Sequence, residues 1–146
     1  RGSRVERYTL SHVGIVVADL DVARERLTAL LGLEWTPVRS VIVETVDADG
    51  TRRASALRMC DSFQSPGYEL IEEAPGTPWV CSELSNVHHL AYATTDVNAA
   101  SGCLQAKGCP LELTSAPAAD GSLGFAYHRD PCGVRIEVSW PRSPSP

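Results

Sequence analysis

His12-Val13-Gly14-Ile15-Val16-Val17-Ala18-Asp19-Leu20-Asp21-Val22-Ala23 is echoed later in the chain by His89-Leu90-Ala91-Tyr92-Ala93-Thr94-Thr95-Asp96-Val97-Asn98-Ala99-Ala100. Each copy opens on a histidine, runs through an apolar stretch, reaches an aspartate and enters an Ala-bearing segment of helical character. An internal repeat of this kind decides the architecture, because each copy folds as a similar supersecondary unit and buries its apolar face with the other's help. It also puts two imidazoles at equivalent points of two units.

Working outward from the first copy, residues 10–18 alternate as a strand, with Val13, Ile15 and Val17 on one face and His12, Gly14 and Val16 on the other. Asp19 or Asp21 can cap a helix over 21–31, expected to bury Val22, Leu27, Leu30 and Leu31, and Gly32 is a natural stop. The β-branched run over 37–46, the turn Asp49-Gly50 and the segment 52–60 read as a hairpin. Pro66-Gly67 punctuates, and Tyr68 to Glu72 reads as a fourth strand. Around the second copy the order returns. A strand over 87–94 is followed by a helix over 96–107 ending at Gly108, and by strands near 110–114, 123–129 and 133–139. The predicted fold is α+β, with two tandem βαβββ modules forming a curved mixed sheet around a central cleft. The modules are placed at 10–74 and 87–140. A connector at 75–86 carries Pro75, Gly76 and Pro78. Residues 1–9 and the Pro- and Ser-rich 141–146 are expected to be tails, the latter disordered.

Composition narrows the class. The 146 residues are 43% hydrophobic and 21% charged, which suits a globular domain or two small modules sharing a core. No apolar run approaches the roughly 20 residues of a membrane span. With a formal net charge of −5 and no basic cluster, neither nucleic acid nor an anionic membrane is expected as a partner. Five cysteines, odd in number and irregular in spacing, read as reduced thiols. Cys103, inside a predicted helix, suits a small buried hydrophobe. No apolar leader is visible at Arg1-Gly2-Ser3-Arg4, so a cytoplasmic location is expected.

The chemistry lies in the strand faces. If Val13, Ile15 and Val17 face a helix, His12 faces away from it. By the same alternation Leu90 and Tyr92 leave His89 opposite, Tyr68 and Leu70 leave Glu69 opposite, and Ile136 and Val138 leave Glu137 opposite. A curled sheet would bring these two histidines and two glutamates together. Four buried ionisable groups are costly unless paired or ligated. A His2Glu2 set suits a divalent metal ion such as Zn, Ni, Co, Mn or Fe, with remaining positions for water or substrate oxygens. Glu69 and Glu137 could also move a proton. His88 reads as making a supporting or surface hydrogen bond. His128 and Arg129 read as substrate contacts or loop-flanking surface. Tyr92, Tyr127, Trp35, Trp79 and Trp140 read first as packing.

These features together resemble the vicinal oxygen chelate superfamily, which includes lactoylglutathione lyases, methylmalonyl-CoA epimerases, fosfomycin-resistance transferases, extradiol dioxygenases and bleomycin-binding proteins. The resemblance rests on the opening motif, on His88-His89, on Tyr68-Glu69-Leu70-Ile71-Glu72 and on Arg129-Asp130-Pro131-Cys132-Gly133-Val134-Arg135-Ile136-Glu137. It covers residues 10–140. It implies metal ligands at His12, Glu69, His89 and Glu137; the repeat selects His89 over His88 because His89 aligns with His12. The ligand pattern is similar to that of lactoylglutathione lyases, whereas the epimerases usually carry Gln where Glu69 stands. The second carboxylate base of the epimerases has no counterpart in Ala54-Ser55-Ala56-Leu57-Arg58, and Glu44 is the substitute candidate, with a cross-strand salt bridge to Arg52 or Arg53 as its rival role. No match is found for the glutathione-binding arginines of the lyases.

The resemblance implies a metal-dependent isomerase, epimerase or lyase acting on a small carbonyl or hydroxy-carbonyl compound, as in members linked to secondary metabolism, and a homodimer. Glu137, Glu69 and Glu44 are the candidate catalytic groups. Two other readings stay open: a small-molecule binding and resistance protein without catalysis, and an Fe(II) extradiol-type dioxygenase.

Overall fold

Alternation along the strands separates two apolar surfaces. The computed structural model describes residues 7–142. Eight strands and two helices follow in the order β1 (Leu10–Val17), α1 (Leu20–Leu31), β2 (Arg39–Asp47), β3 (Arg52–Asp61), β4 (Gly67–Glu72), β5 (Val87–Ala93), α2 (Val97–Ala106), β6 (Leu111–Ser115), β7 (Phe125–Arg129) and β8 (Arg135–Ser139). Val16, Met59, Ile71 and Tyr127 pack together on one side of the sheet with Leu57 and Trp79. Their chain neighbours point the other way: Val17, Cys60 and Leu70 meet Leu20 and Leu27 of α1, and Ala126 and Val138 meet Val97 and Ala100 of α2. Each fully buried side chain of this size contributes about 1.5–3 kcal/mol. A one-residue slip of register would exchange the two surfaces.

The mixed sheet expected from the sequence is present, and it closes. The strands form a barrel in the order β1-β4-β3-β2-β6-β7-β8-β5. β1 runs parallel to β4 and β5 parallel to β8. The other neighbours are antiparallel. Two antiparallel pairings join the early strands to the late ones. β1 meets β5 from Leu10–Tyr92 to Ile15–Val87. β2 meets β6 through Thr45–Ser115, Val46–Thr114 and Asp47–Leu113. These two joins turn the expected open cleft into a ring with a filled interior.

Local signals place the helices. Asp19 Oδ1 accepts from the Val22 amide at 3.0 Å, and Asp96 Oδ1 from the Ala99 amide at 2.9 Å. Gly32 closes α1 at φ 68°, a left-handed conformation that costs glycine little, and its amide reaches the Thr28 carbonyl at 2.9 Å.

The buried face of α1 differs from the expected one. Leu20 is buried and Leu27 half-buried, but Val22, Leu30 and Leu31 are exposed. The helix starts one residue earlier than expected, at Leu20. Cys103 is likewise exposed on α2 rather than buried. All five cysteines are free thiols. No described helix is long and apolar enough to cross a membrane. Of the expected tails, residues 1–6 and 143–146 lie outside the described residues.

Candidate metal centre

Four neighbouring strands, β4, β1, β5 and β8, carry Glu69, His12, His89 and Glu137. Glu69 and Glu137 alternate with Leu70 and Val138, which pack toward the helices, and all four residues are buried. The exposures are 7% for Glu69, 2% for His12, 1% for His89 and 7% for Glu137. The four side chains that the sequence placed on one face do meet. His12 Nε2 lies 3.3 Å from His89 Nε2, and Glu137 Oε2 lies 3.1 Å from both. The ligand atoms of these three residues all fall within 4.8 Å of one another. Glu69 stands slightly farther off, with its carboxylate 3.7 Å from each imidazole.

The chemistry of this donor set fits a cation. Ligand atoms held about 2.0–2.2 Å from one ion in a tetrahedral or octahedral shell lie about 3 Å apart, and the His12–His89–Glu137 triangle has that size. Glu137 Oε2 is buried and makes no aligned hydrogen bond, although both imidazoles are close. It and the two Nε2 atoms stand 3.1–3.3 Å from one another. As a ligand it would be the anion.

The surroundings fix the His89 ring on three sides. Gly14 faces it across the β1–β5 ladder and leaves room that a side chain would fill. The Tyr127 ring lies against it, with centroids 5.0 Å apart. His88 Nδ1 lies 2.8 Å from His89 Nδ1. Tyr127 is anchored in turn, because its hydroxyl accepts from Trp79 Nε1 at 3.2 Å. Burial, then the nearby Glu137 and Glu69 charges, push the Tyr127 hydroxyl well above its ordinary pKa. Burial first, then Arg135 and His89, push His88 down to about 3, so it is neutral. On the other imidazole, buried His12 Nδ1 has no hydrogen-bond partner among the described residues.

A cleft of about 550 Å³ reaches His12 from outside, lined among others by Arg39, Asp61, Phe63, Tyr68 and Arg142. Arg142 stands at its inner end. Its guanidinium pairs with both Asp61 and Glu69, and its Nη2 comes within 3.3 Å of His12 Nε2. Arg142 falls within the segment 141–146 expected to be a disordered tail, and nothing in the Pro- and Ser-rich pattern marks it. Gly14 could have been found: a glycine within an apolar strand signals a close approach.

Other candidates fall elsewhere. Glu44 is exposed on β2 between inward-facing Val43 and Thr45, so the structure does not bring it to the cluster. Nor does Arg53 pair with it; Arg53 pairs with Asp47 at 2.7 Å. His128 is buried between α2 and β7, with Nε2 2.8 Å from Ser101 Oγ and Nδ1 3.0 Å from the Cys109 carbonyl. It fastens helix to sheet. His88, read as a supporting or surface residue, is buried.

Residues 11–127 match the family model described as the glyoxalase/bleomycin resistance protein/dioxygenase superfamily. Comparison with curated proteins finds no match. Among solved structures, a methylmalonyl-CoA epimerase from Mycobacterium tuberculosis is similar with a TM-score of 0.61 and 24% identity, over 92% of this chain and 88% of that one. A Streptomyces coelicolor methylmalonyl-CoA epimerase variant, in complex with 2-nitronate-propionyl-CoA, gives 0.60 and 22% over 94% of this chain and 100% of that one. A hypothetical protein from Bacillus halodurans gives 0.65 and 17% over 97% and 99%. At these identities the likeness concerns the fold.

Proposed function

The chain belongs to the glyoxalase/bleomycin resistance protein/dioxygenase superfamily, and from that premise we propose that it is a metal-dependent isomerase, epimerase or lyase. Its substrate is a small carbonyl or hydroxy-carbonyl compound. The observation that carries this reading is the convergence of His12 Nε2, His89 Nε2 and Glu137 Oε2 within 3.1–3.3 Å inside the barrel. His12, His89 and Glu137 would hold a divalent ion of the Zn, Ni, Co, Mn or Fe group, with Glu69 as the fourth ligand. When bound, the ion supplies Lewis acidity, which polarises a carbonyl and acidifies an adjacent C–H.

The chain's own groups do the rest. Glu69 is the carboxylate farther from the imidazoles, so it takes the proton from carbon and returns it, with Glu137 as the alternate. The cleft beside His12 admits a substrate, and Arg142 and Arg39 at its wall orient polar or anionic parts of it. Tyr127, Trp79 and His88 close the inner side with buried rings, which keeps water from the reacting atoms. Glu44 has no part in this reading.

The order of elements supports reading the chain as duplicated βαβββ modules at 10–74 and 87–140 joined by 75–86, each giving the centre one histidine and one glutamate. A cytoplasmic homodimer is part of the same proposal.

Two measurements test it. Calorimetry with Zn²⁺ and Co²⁺ should give one site per chain, lost in His12→Ala and His89→Ala and partly kept in Glu69→Gln. Undiminished affinity in all three variants would refute the centre. Deuterium uptake next to the carbonyl, followed by NMR over a panel of thioesters and hydroxy-ketones, should occur with at least one compound and require the ion. Tight small-molecule binding without any exchange would favour a sequestering protein, and a requirement for Fe(II) and oxygen would favour a dioxygenase.

A further inference from the structure

The two histidines of the centre are not held alike, and a register shift explains the difference. On β5, His89 faces Gly14 and Val87 faces Ile15, so His88 has no partner on β1. It is the extra residue of a β-bulge. Bulges bend a strand and re-aim side chains, and they concentrate beside active sites. Here the bulge lets two consecutive residues both turn into the interior: His88 is 8% exposed and His89 1%. The carbonyl of His88 accepts from Arg135 Nη1 at 3.1 Å, and Arg135 is gripped by both carboxylate oxygens of Glu112.

The hydrogen-bond chain through His88 runs in one direction only. His88 Nε2 lies 2.8 Å from the Pro78 carbonyl oxygen. A carbonyl can only accept, so Nε2 carries the proton. A neutral imidazole then has a bare nitrogen at Nδ1, which can only accept. That nitrogen lies 2.8 Å from His89 Nδ1. His89 therefore donates from Nδ1, and its Nε2 is left with a free lone pair facing His12 and Glu137.

We propose that His88 is a positioning residue: held by the Pro78 carbonyl, it locks His89 in the Nδ1–H tautomer and so presents a bare Nε2 for a divalent cation. This rests on the metal-centre reading above. The second nitrogen of a ligating histidine ordinarily donates to a carboxylate, carbonyl or water; here a neighbouring histidine takes that part. His12 has no equivalent support among the described residues, since its Nδ1 is buried without a partner. The doubled histidine thus divides its labour, one ring binding and the other aiming it.

The test begins on metal-free protein. Long-range ¹H–¹⁵N NMR of the imidazoles should show His89 protonated at Nδ1 and His88 at Nε2. His88→Leu should scramble the His89 tautomer and lower Zn²⁺ and Co²⁺ affinity by about 10- to 100-fold. His88→Asn, whose side-chain oxygen can take the place of Nδ1 as acceptor, should recover most of the affinity and the tautomer. A wild-type His89 protonated at Nε2 overturns the proposal whether or not the leucine variant folds. So does a folded His88→Leu with unchanged tautomer and affinity. If wild-type His89 has the expected tautomer and no cation binds at all, the metal reading fails and with it the purpose assigned to His88. If cations bind and the tautomer is wrong, only the role of His88 fails.

Discussion

The imidazole of His89 lies over the α-carbon of Gly14, where a β-carbon would stand 2.1 Å from His89 Cε1 and 2.4 Å from both ring nitrogens. No real contact is that short, so any side chain at position 14 must displace the ring. Gly14→Ala should therefore leave the barrel folded, because the β1 backbone keeps its ladder, yet lower Co²⁺ affinity at least about tenfold, as other losses of ligand orientation do. Circular dichroism and a Co²⁺ titration on the same sample check it; wild-type affinity in the variant would show that the ring position does not matter.

Arg142 competes for a group the cation would use. Its guanidinium engages Glu69 and Asp61, so Glu69 is not free to close on an ion beside the imidazoles. Arg142→Ala should raise Zn²⁺ affinity by about fivefold, the equivalent of roughly 1 kcal/mol for a partly exposed ion pair. Adding Glu69→Gln to that variant should abolish the gain. Calorimetry on the single and double variants reads the cycle directly, and a loss of affinity in Arg142→Ala would contradict it.

Trp79 is 2% exposed, and its indole N–H finds the Tyr127 hydroxyl at 3.2 Å. Tyr127→Phe would leave that donor buried and unpaired, at a cost of about 1–3 kcal/mol. The ring itself would remain against His89. Thermal unfolding should shift downward by several degrees, with Zn²⁺ affinity changed less than in the Gly14 variant.

Two buried histidines make stability depend on pH. His128 is held below its ordinary pKa by burial, and His88 is pushed down to about 3, mainly by burial. The unfolded chain takes up protons at these residues as pH falls through about 6.5, while the folded chain resists. Stability is therefore full above that value and declines below it toward pH 3. His128→Gln should flatten part of the decline and leave the His88 share. A melting curve series across this range, with and without the substitution, would reveal an unchanged slope if His128 contributes nothing.

Much of the architecture is readable from period-two alternation. Val16 inside and Val17 outside, Leu70 outside and Ile71 inside, follow from one rule, and the same rule carries His12, Glu69, His89 and Glu137 to one interior. That rule also explains what stayed hidden. It assumes one residue per step, and the bulge at His88 breaks the step, so two consecutive histidines share a side that alternation would divide between them. Glu44 is the substitute candidate on the second strand, but its face is set by Val43 and Thr45 on either side. The exposure of Val22, Leu30 and Leu31 depends on which elements α1 meets in the fold, which no local pattern records. Arg142 is positioned by the partners it meets after the chain has folded.

The ring of strands is unevenly fastened. On one side β1 is zipped to β5 along most of its length, where the histidines sit; on the far side β2 and β6 are joined only over the stretch from Glu44 to Ala48. Local opening takes the route that breaks the fewest bonds. Breathing of this protein should then begin at the β2–β6 seam, letting the shell gape like a clam whose hinge is the histidine-bearing edge. Amide protons of Val46 and Thr114 would trade with solvent well before those of His12 and Ala91.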